Sequence, residues 1–528
     1  MTLRRLTRPC ARTLARATVA LAAGLALLGA TAASGRAAEL VVDDLGDSGP
    51  GTLRAAIELA EADEAADRIA IEAAGMIALA SPLERIDTAI EITGPGARLL
   101  ELTRAADAPA FRILEVGAAG SLELSGVTVT GGYLAGGFDE RGAGILSAGE
   151  LVLRDAVVRG NELAVPPSFR AQGAGIYASG PLRLERVEVR DNVISAPGGF
   201  GEGAGVFARP ELEVSESVFD GNRLDVGDPL NAKGAAVFLS DGEGAIRRSV
   251  VTGNAGPAPS GLAFVAAVHN GAGELVVENT TLAGNVGGVA AHSTGVTTVR
   301  SATILGGPGA GPGLGALNID VPTEVRVRNT ILADPGPGAA NCETELADQA
   351  TFVSLGNNIA SDGSCAFLDR RSDHQGIDPG LRPLSEGVAV PRACGAAADA
   401  GRSHGVAVDQ RGLPRPRNHA RRPALGDGAD VGAVERQGPP CRSFEARLRA
   451  HRRALVLRLR LPGPGRVAAR GKGVRAVRRA ARAAGGMRLR LRLRPRALKG
   501  RRVAVRVSFR PRGGAPKAKR LAVRLPRR

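Results

Sequence analysis

An all-β chain organised as a parallel β-helix solenoid is predicted by three observations. Asn161, Asn192, Asn222, Asn254 and Asn285 recur at intervals of 31, 30, 32 and 31 residues. A second marker keeps the same beat about twenty residues earlier in each unit, in Gly-Ala-Gly-Ile-type runs that begin at Gly142, Gly173, Gly203 and Gly234. Between the markers the apolar residues alternate with period two, as in Leu151-Val152-Leu153, Leu182-Arg183-Leu184, Leu212-Glu213-Val214 and Leu275-Val276-Val277. A second short strand follows, for example Val157-Val158 or Val187-Glu188-Val189. So short a unit cannot bury its apolar face until neighbours stack on it. Helical and leucine-rich solenoids have similar periods, but they require helical periodicity or a leucine grid.

Stacked turns of a parallel β-helix place equivalent residues one strand spacing apart, about 4.8 Å, so identical residues form ladders. A buried amide is costly unless paired, and stacked asparagines can satisfy one another or the turning backbone. Asparagine also tolerates the left-handed conformation of a sharp corner. The five asparagines therefore read as a structural ladder, not as a row of ligand-binding groups.

Four regions follow in order. Residues 1–37 have the pattern of an export signal: Arg4, Arg5, Arg8, Arg12 and Arg16, an apolar stretch from Ala17 to Ala30, and small residues near Ala32 and Ala37. The mature chain is expected to be extracellular or at the cell surface, with no transmembrane span. Residues 38–124 are expected to form the N-terminal cap and first coils. Here an Ala- and Glu-rich helix from Leu53 to Ala66 covers the open end, where unpaired strand edges would otherwise template aggregation. Residues 125–436 hold the repeats and a closing region, with the segments 132–141, 163–171 and 225–231 read as variable loop insertions. Residues 437–528 change character abruptly. They carry about thirty Lys and Arg against one acid, Glu445, so the net charge of +16 combines an acidic coil with a very basic tail. In the tail, Ala454–Leu461, Met487–Leu493 and Val503–Phe509 alternate apolar with charged residues, as strands with one buried face do. A small β-sandwich is expected.

Cys10 leaves with the signal, so Cys342, Cys365, Cys394 and Cys441 remain, an even number that permits disulfides without fixing their pairing. Cys342 with Cys365 is the preferred pair, because both lie in one loop-rich stretch after the last clear repeat. No second Cys or His stands at zinc-ligand spacing from either, and no metal or other cofactor is expected.

Two stretches resemble known families. Gly51-Thr52-Leu53-Arg54-Ala55-Ala56-Ile57, preceded by Val42-Asp43-Asp44, is similar to the N-terminal signature of exported bacterial β-helix proteins built around Cys-Ser-Leu-Arg-Glu-Ala-Ile. The match lies in Leu53, Arg54, Ala56 and Ile57; the family's cysteine is Gly51 here and its glutamate is Ala55. Asp378-Pro379-Gly380-Leu381, Asp409-Gln410-Arg411-Gly412-Leu413-Pro414-Arg415-Pro416 and Asp430-Val431-Gly432-Ala433-Val434-Glu435 resemble the choice-of-anchor Q domain of the pectate-lyase-like superfamily. Together these similarities cover most of residues 40–436. They imply a right-handed parallel β-helix and an exported protein. The tail resembles the small Ig-like sandwich modules that follow such coils in high-GC bacteria.

Related β-helix enzymes cleave acidic polysaccharides with clustered carboxylates or a calcium-assisted Arg or Lys base, and none of their local signatures stands in this chain. Asp43 and Asp44 read as turn residues. Asp139, Glu140 and Arg141 read as a solvated loop tip. Asp373 beside His374 is the best acid–base pair by composition, and a surface loop is its plainer reading. Asp409 with Arg411, and Asp430 with Glu435, read as structural pairs near the end of the coil. No catalytic residue is assigned. Sugar platforms need aromatic faces, yet the chain has no Trp and only Tyr133 and Tyr177. Basic charge without interleaved aromatics favours salt-sensitive contact with an anionic polymer over sequence-specific nucleic-acid recognition. The expected function is a non-catalytic surface scaffold or adhesion-type protein held to an anionic cell-envelope polymer by its tail. The alternative is a polysaccharide lyase or glycoside hydrolase acting on an acidic polysaccharide.

Overall fold

The computed structural model describes residues 39–257, 266–292, 294–307, 312–317, 323–336, 338–345, 350–392, 395–415, 427–437, 444–451, 454–461, 464–482, 485–494, 502–511 and 517–525. The export-signal region, Cys394 and Cys441 lie outside them. Among the described residues, 39–360 wind into a solenoid whose turns build three long parallel sheets of twelve, eleven and nine strands. Helical structure among the described residues is limited to Leu53–Ala60 and a single 3-10 turn at Pro229–Asn231.

Register explains the clean alternation in the repeats. In the twelve-stranded sheet Leu122, Leu151, Leu182 and Leu212 form one inward column, and Leu124, Leu153, Leu184, Val214, Ile246 and Val277 form the next. A one-residue slip would turn either column to solvent, so burial fixes the stacking. One apolar core runs from Val42 to Leu368, so the first coils and the repeats share a single interior.

Each turn bends at fixed positions. Asp155, Arg186, Glu216, Arg248, Asn279, Ser301 and Asn329 stack at one corner, all left-handed, with φ between 48° and 55°. The ladder asparagines do not supply this geometry. Beside them the left-handed residues are their predecessors, Gly160, Asp191, Gly221, Gly253 and Gly284. Asparagine is needed at the ladder for its amide.

The segments read as variable insertions are ordered. Tyr133–Ala135, Glu162–Ala164, Val193–Ala196 and Arg223–Val226 pair as one four-stranded parallel sheet, and Asp139–Arg141, Arg170–Gln172, Phe200–Glu202 and Ala232–Lys233 pair as another. Leu163, Ile194 and Leu224, with Val165, Ala196 and Val226, close a second small core beside the main one. The repeated apolar residues make these excursions strands where loops were expected.

The helix Leu53–Ala60 buries Leu53, Ala56, Ile57 and Ala60, spaced so that they share one face. Thr52 caps it by accepting from the Ala55 amide. Arg54 turns away and clamps Asp47 at 2.6 Å and the Ser81 and Pro82 carbonyls. The residues matched to the N-terminal signature thus divide into three that pack and one that ties the helix to the following loop.

In the tail, Glu445–His451, Ala454–Leu461 and Gly485–Arg492 form a three-stranded antiparallel sheet. Gly465–Gly471, Val474–Ala481, Arg502–Pro511 and Lys517–Arg524 form a four-stranded one. Leu455, Leu457 and Leu491 from the first and Val467, Val505 and Phe509 from the second share one apolar core, separate from that of the coil.

Candidate functional site

Four groups of polar residues are candidate sites: the asparagine ladder, the isolated acid–base candidates, a buried ionic cluster near the end of the coil, and the exposed charge of coil and tail. In the ladder each side chain serves the next turn. The Asn222 Oδ1 accepts from the Asn192 amide N–H at 3.2 Å and from Asn192 Nδ2 at 2.9 Å, while Asn222 Nδ2 donates to the Val189 carbonyl and to Asn254 Oδ1, both at 2.9 Å. Asn161, Asn192 and Asn254 repeat the pattern, and Asn285 ends it by donating to the Val251 carbonyl. All five are buried. The phased glycines belong to the same device. A Cβ on Gly175 would lie 2.6 Å from the Gly205 carbonyl oxygen and 2.9 Å from Asn192 Nδ2, and Gly144 and Gly205 are similarly tight against Asn161 and Asn222. The ladder leaves no group turned to a ligand.

The isolated candidates are tied into turns. Asp43 and Asp44 both donate their backbone N–H groups to the Gly51 carbonyl, and Asp44 Oδ1 accepts from Gly46. Asp139, Glu140 and Arg141 form a strand in register with Arg170–Gln172, not a loop tip, and Arg141 lies over the Tyr177 ring at 5.3 Å. Asp373 braces the last rung by accepting from Ser354 Oγ at 2.5 Å and from the Asn358 amide at 2.8 Å. His374 extends that rung through its backbone N–H to the Asn358 carbonyl. Cys342 and Cys365 are joined in a disulfide with Cα atoms 5.1 Å apart, linking the last strand of the nine-stranded sheet to the loop beyond it. No cluster of three or more metal-ligating side chains occurs among the described residues.

The described residues between Gly387 and Arg436 lie along the outside of the eleven-stranded sheet. Gln410 Oε1 accepts from Thr281 Oγ1 at 2.5 Å and its Nε2 donates to the Ser249 carbonyl at 3.0 Å. Asn279 and Asn329, both left-handed corner residues, donate to the Val408 and Asp430 carbonyls, and the Ala433 amide donates to Thr303 Oγ1. Behind these contacts lies a buried ionic cluster. Arg411 pairs with Asp409 at 2.8 Å; Arg415, fully buried, donates to the Asp430 and Gly432 carbonyls and stands 4.0 Å from Glu435. Asp430 accepts from the Asp399 and Arg436 amides at 2.6 and 2.7 Å. Burial pushes the Asp430 carboxyl up to about 6 and lowers the Arg415 guanidinium. Perturbed groups of this kind often mark active sites, but these are closed off from solvent and spend their hydrogen-bonding capacity on backbone. Their geometry is that of a clasp.

Exposed charge is distributed differently in coil and tail. Many of the coil's ion pairs join neighbouring turns: Arg68 with Glu91, Arg154 with Glu123 and Glu185, Arg186 with Asp155, Arg247 with Glu213, Arg300 with Glu278. One column is an exception. Glu211, Glu243 and Glu274 stack in direct register, all exposed, with no cation within salt-bridge distance among the described residues. The tail reverses the sign. Arg447, Arg458 and Arg488 face one another across the three-stranded sheet, and Arg470, Arg506 and Arg520 do so across the four-stranded sheet, all exposed. Among the described residues no tail arginine is in a salt bridge. The glutamate column could have been found by following the residue just before each inward leucine. The arginine rows depend on antiparallel register, which alternation within one strand does not reveal.

A groove of about 600 Å³ on the twelve-stranded sheet is lined by Glu39, Arg68, Glu91, Glu123 and Glu150 among others, and two of its acids are already paired with arginine. No protein-family model matches the chain, and no curated protein matches it either.

Proposed function

We propose that this chain is an exported, non-catalytic surface scaffold or adhesion-type protein of the choice-of-anchor Q kind. In this reading a right-handed parallel β-helix is closed at its first turn by the helix Leu53–Ala60, and a basic Ig-like sandwich holds it electrostatically to an anionic envelope polymer. The observation that carries the reading is the segregation of charge. Residues 39–436 hold 52 acids against 32 Lys and Arg, interspersed along the coil, whereas the tail places 31 Lys and Arg against one acid. It directs arginine rows outward from a core that the tail builds for itself. A field of one sign on a compact module favours association with a polyanion and makes that association salt-sensitive. The test is binding of the mature chain, with and without residues 441–528, to isolated envelopes across a salt series, with sugar release read in the same tubes. Salt-sensitive binding that vanishes with the tail, without product, supports the anchored scaffold.

A second reading rests on Glu211, Glu243 and Glu274. Adjacent turns set carboxylates about 5 Å apart, near the separation used by retaining glycosidases. Release of reducing ends or unsaturated products by the tailless coil, abolished by Glu243→Gln, would establish this reading against the first.

A further inference from the structure

The two outer faces of the tail differ. On the three-stranded sheet the arginines share the surface with Glu445, the tail's one acid, and with Val456 and His451. The outer face of the four-stranded sheet has no acid among the described residues, and its arginines fall into ordered rows. Arg466 faces Arg510; Arg470, Arg506 and Arg520 form the central row; Arg502 faces Arg524. Within a row neighbouring strands set the cations about 4.8 Å apart, and successive rows lie four residues, about 13 Å, apart along the strands. Between them the face is floored by Ala468, Ser508 and Ala518 in one trough, with Arg478 beside Ala468 at its edge, and by Ala504 and Ala522 in the other. Each trough is thus open, flat and walled by guanidinium groups.

We propose that this face is a docking surface for a linear phosphate-bearing polymer, with the chain of the polymer lying along a trough and its phosphates between the arginine rows. The inference rests on the reading of the tail as an anchor and names its ligand class and its face. Three features select phosphate. Guanidinium groups this close repel one another unless an anion bridges them. A tetrahedral phosphate presents oxygens outside a single plane, so two guanidinium forks from neighbouring strands can share it, whereas the coplanar oxygens of a carboxylate are taken up by one fork. The floor carries Ala and Ser with Arg478 at one edge, and Phe509 points into the core, so the face lacks the aromatic platforms on which single-stranded nucleic acids stack their bases.

The test uses the full mature chain with three triple variants: Arg470→Ser/Arg506→Ser/Arg520→Ser on the proposed face, the same residues changed to Lys, and Arg447→Ser/Arg458→Ser/Arg488→Ser on the opposite sheet. Binding to immobilised long-chain inorganic polyphosphate and to polygalacturonate is measured across a salt series. The wild-type chain is expected to bind polyphosphate more than tenfold tighter than polygalacturonate. The Ser variant on the proposed face should lower the slope of log affinity against log salt by about 2, at roughly 0.7 per lost phosphate contact. The Lys variant keeps that slope but loses most of the tenfold preference, because an ammonium has no fork. All the altered side chains are exposed, so thermal unfolding reports that each variant folds. Equal losses from the two Ser variants, equal affinity for the two polymers, or salt-sensitive self-association through Glu211, Glu243 and Glu274 in place of polymer binding would each overturn the inference. Envelope binding separates the two claims. If deleting residues 441–528 abolishes it while the Ser variant on the proposed face leaves it unchanged, the face assignment fails and the anchor stands. If the deletion leaves envelope binding intact, the anchor fails and the polymer measurements still decide the face.

Discussion

Replacing Asn222 by Ala isolates what the ladder contributes. The substitution removes the Oδ1 that accepts from the Asn192 backbone N–H and from Asn192 Nδ2. Asn192 Nδ2 keeps its bond to the Val158 carbonyl, and Asn254 Oδ1 keeps its bond from the Asn222 backbone, so those groups are only partly deprived. Two buried donors on Asn192 are left without a partner, at about 1–3 kcal/mol each, and the lost amide leaves a void at the main core. We expect a loss of about 3–5 kcal/mol. Because solenoids unfold less cooperatively than small domains, the assay is urea unfolding together with hydrogen exchange at the Asn192 amide, which should speed up selectively. The double variant Asn192→Ala/Asn222→Ala deprives three donors where the two single changes together deprive four. Its loss should fall short of the sum by about 1–3 kcal/mol. A loss below about 1 kcal/mol for Asn222→Ala, or simple additivity of the pair, would refute the ladder as a shared hydrogen-bonded unit.

Two further outcomes follow from the geometry. Gly175→Ala places a methyl group 2.6 Å from the Gly205 carbonyl oxygen and should cost about 2–3 kcal/mol; Gly363→Ala, with open space around it, should change stability by under about 0.5 kcal/mol, and equal urea midpoints for the two would contradict the packing described. Folding raises the Asp430 carboxyl from 3.8 to about 6, so within that window the native state holds a proton that the unfolded chain has released. The contribution of this group is greatest below the window and declines as pH rises through it, by about 3 kcal/mol. Asp430→Asn should flatten that decline when urea midpoints at pH 4.5 and 7 are compared with wild type; an unchanged pH dependence would remove Asp430 as its source. Asp362 and Asp427, whose carboxyls are held low by the hydrogen bonds they accept, act with the opposite sign at lower pH in both proteins.

The parallel solenoid was legible because its strongest constraint is local and repeated. Inward leucines, ladder asparagines and phased glycines all mark the same stacking event, and each turn restates it. The excursions around Leu163, Ile194 and Leu224 carry the same signal more faintly, in three-residue strands that look like loops in any one turn and declare themselves only when neighbours are aligned. The clasp was half legible. Asp409, Arg411, Asp430 and Glu435 read as structural pairs, but the Asp430 carbonyl meets Asn329 and the neighbouring Gln410 meets Thr281 and Ser249, all more than a hundred residues away, and no local pattern encodes such distances. The same holds for the tail, where alternation showed which arginines leave the core and the pairing of strands decided which of them meet.

The clasp also bears on how such a chain can change length. A stack of near-identical turns ordinarily tolerates the gain or loss of one, since each turn asks only for a similar neighbour. Here the returning segment touches named turns at Val250, Thr281, Thr303 and Ile331 in succession. It therefore spans a set height of the stack, and deleting a turn between Val250 and Ile331 would pull every later contact out of step, whereas among the described residues its contacts reach back no further than the turn of Ser249 and Val250. Duplication and loss of coils, in evolution or in engineering, should be confined to the amino-terminal side of Val250, where the described residues of the returning segment do not measure the height of the stack.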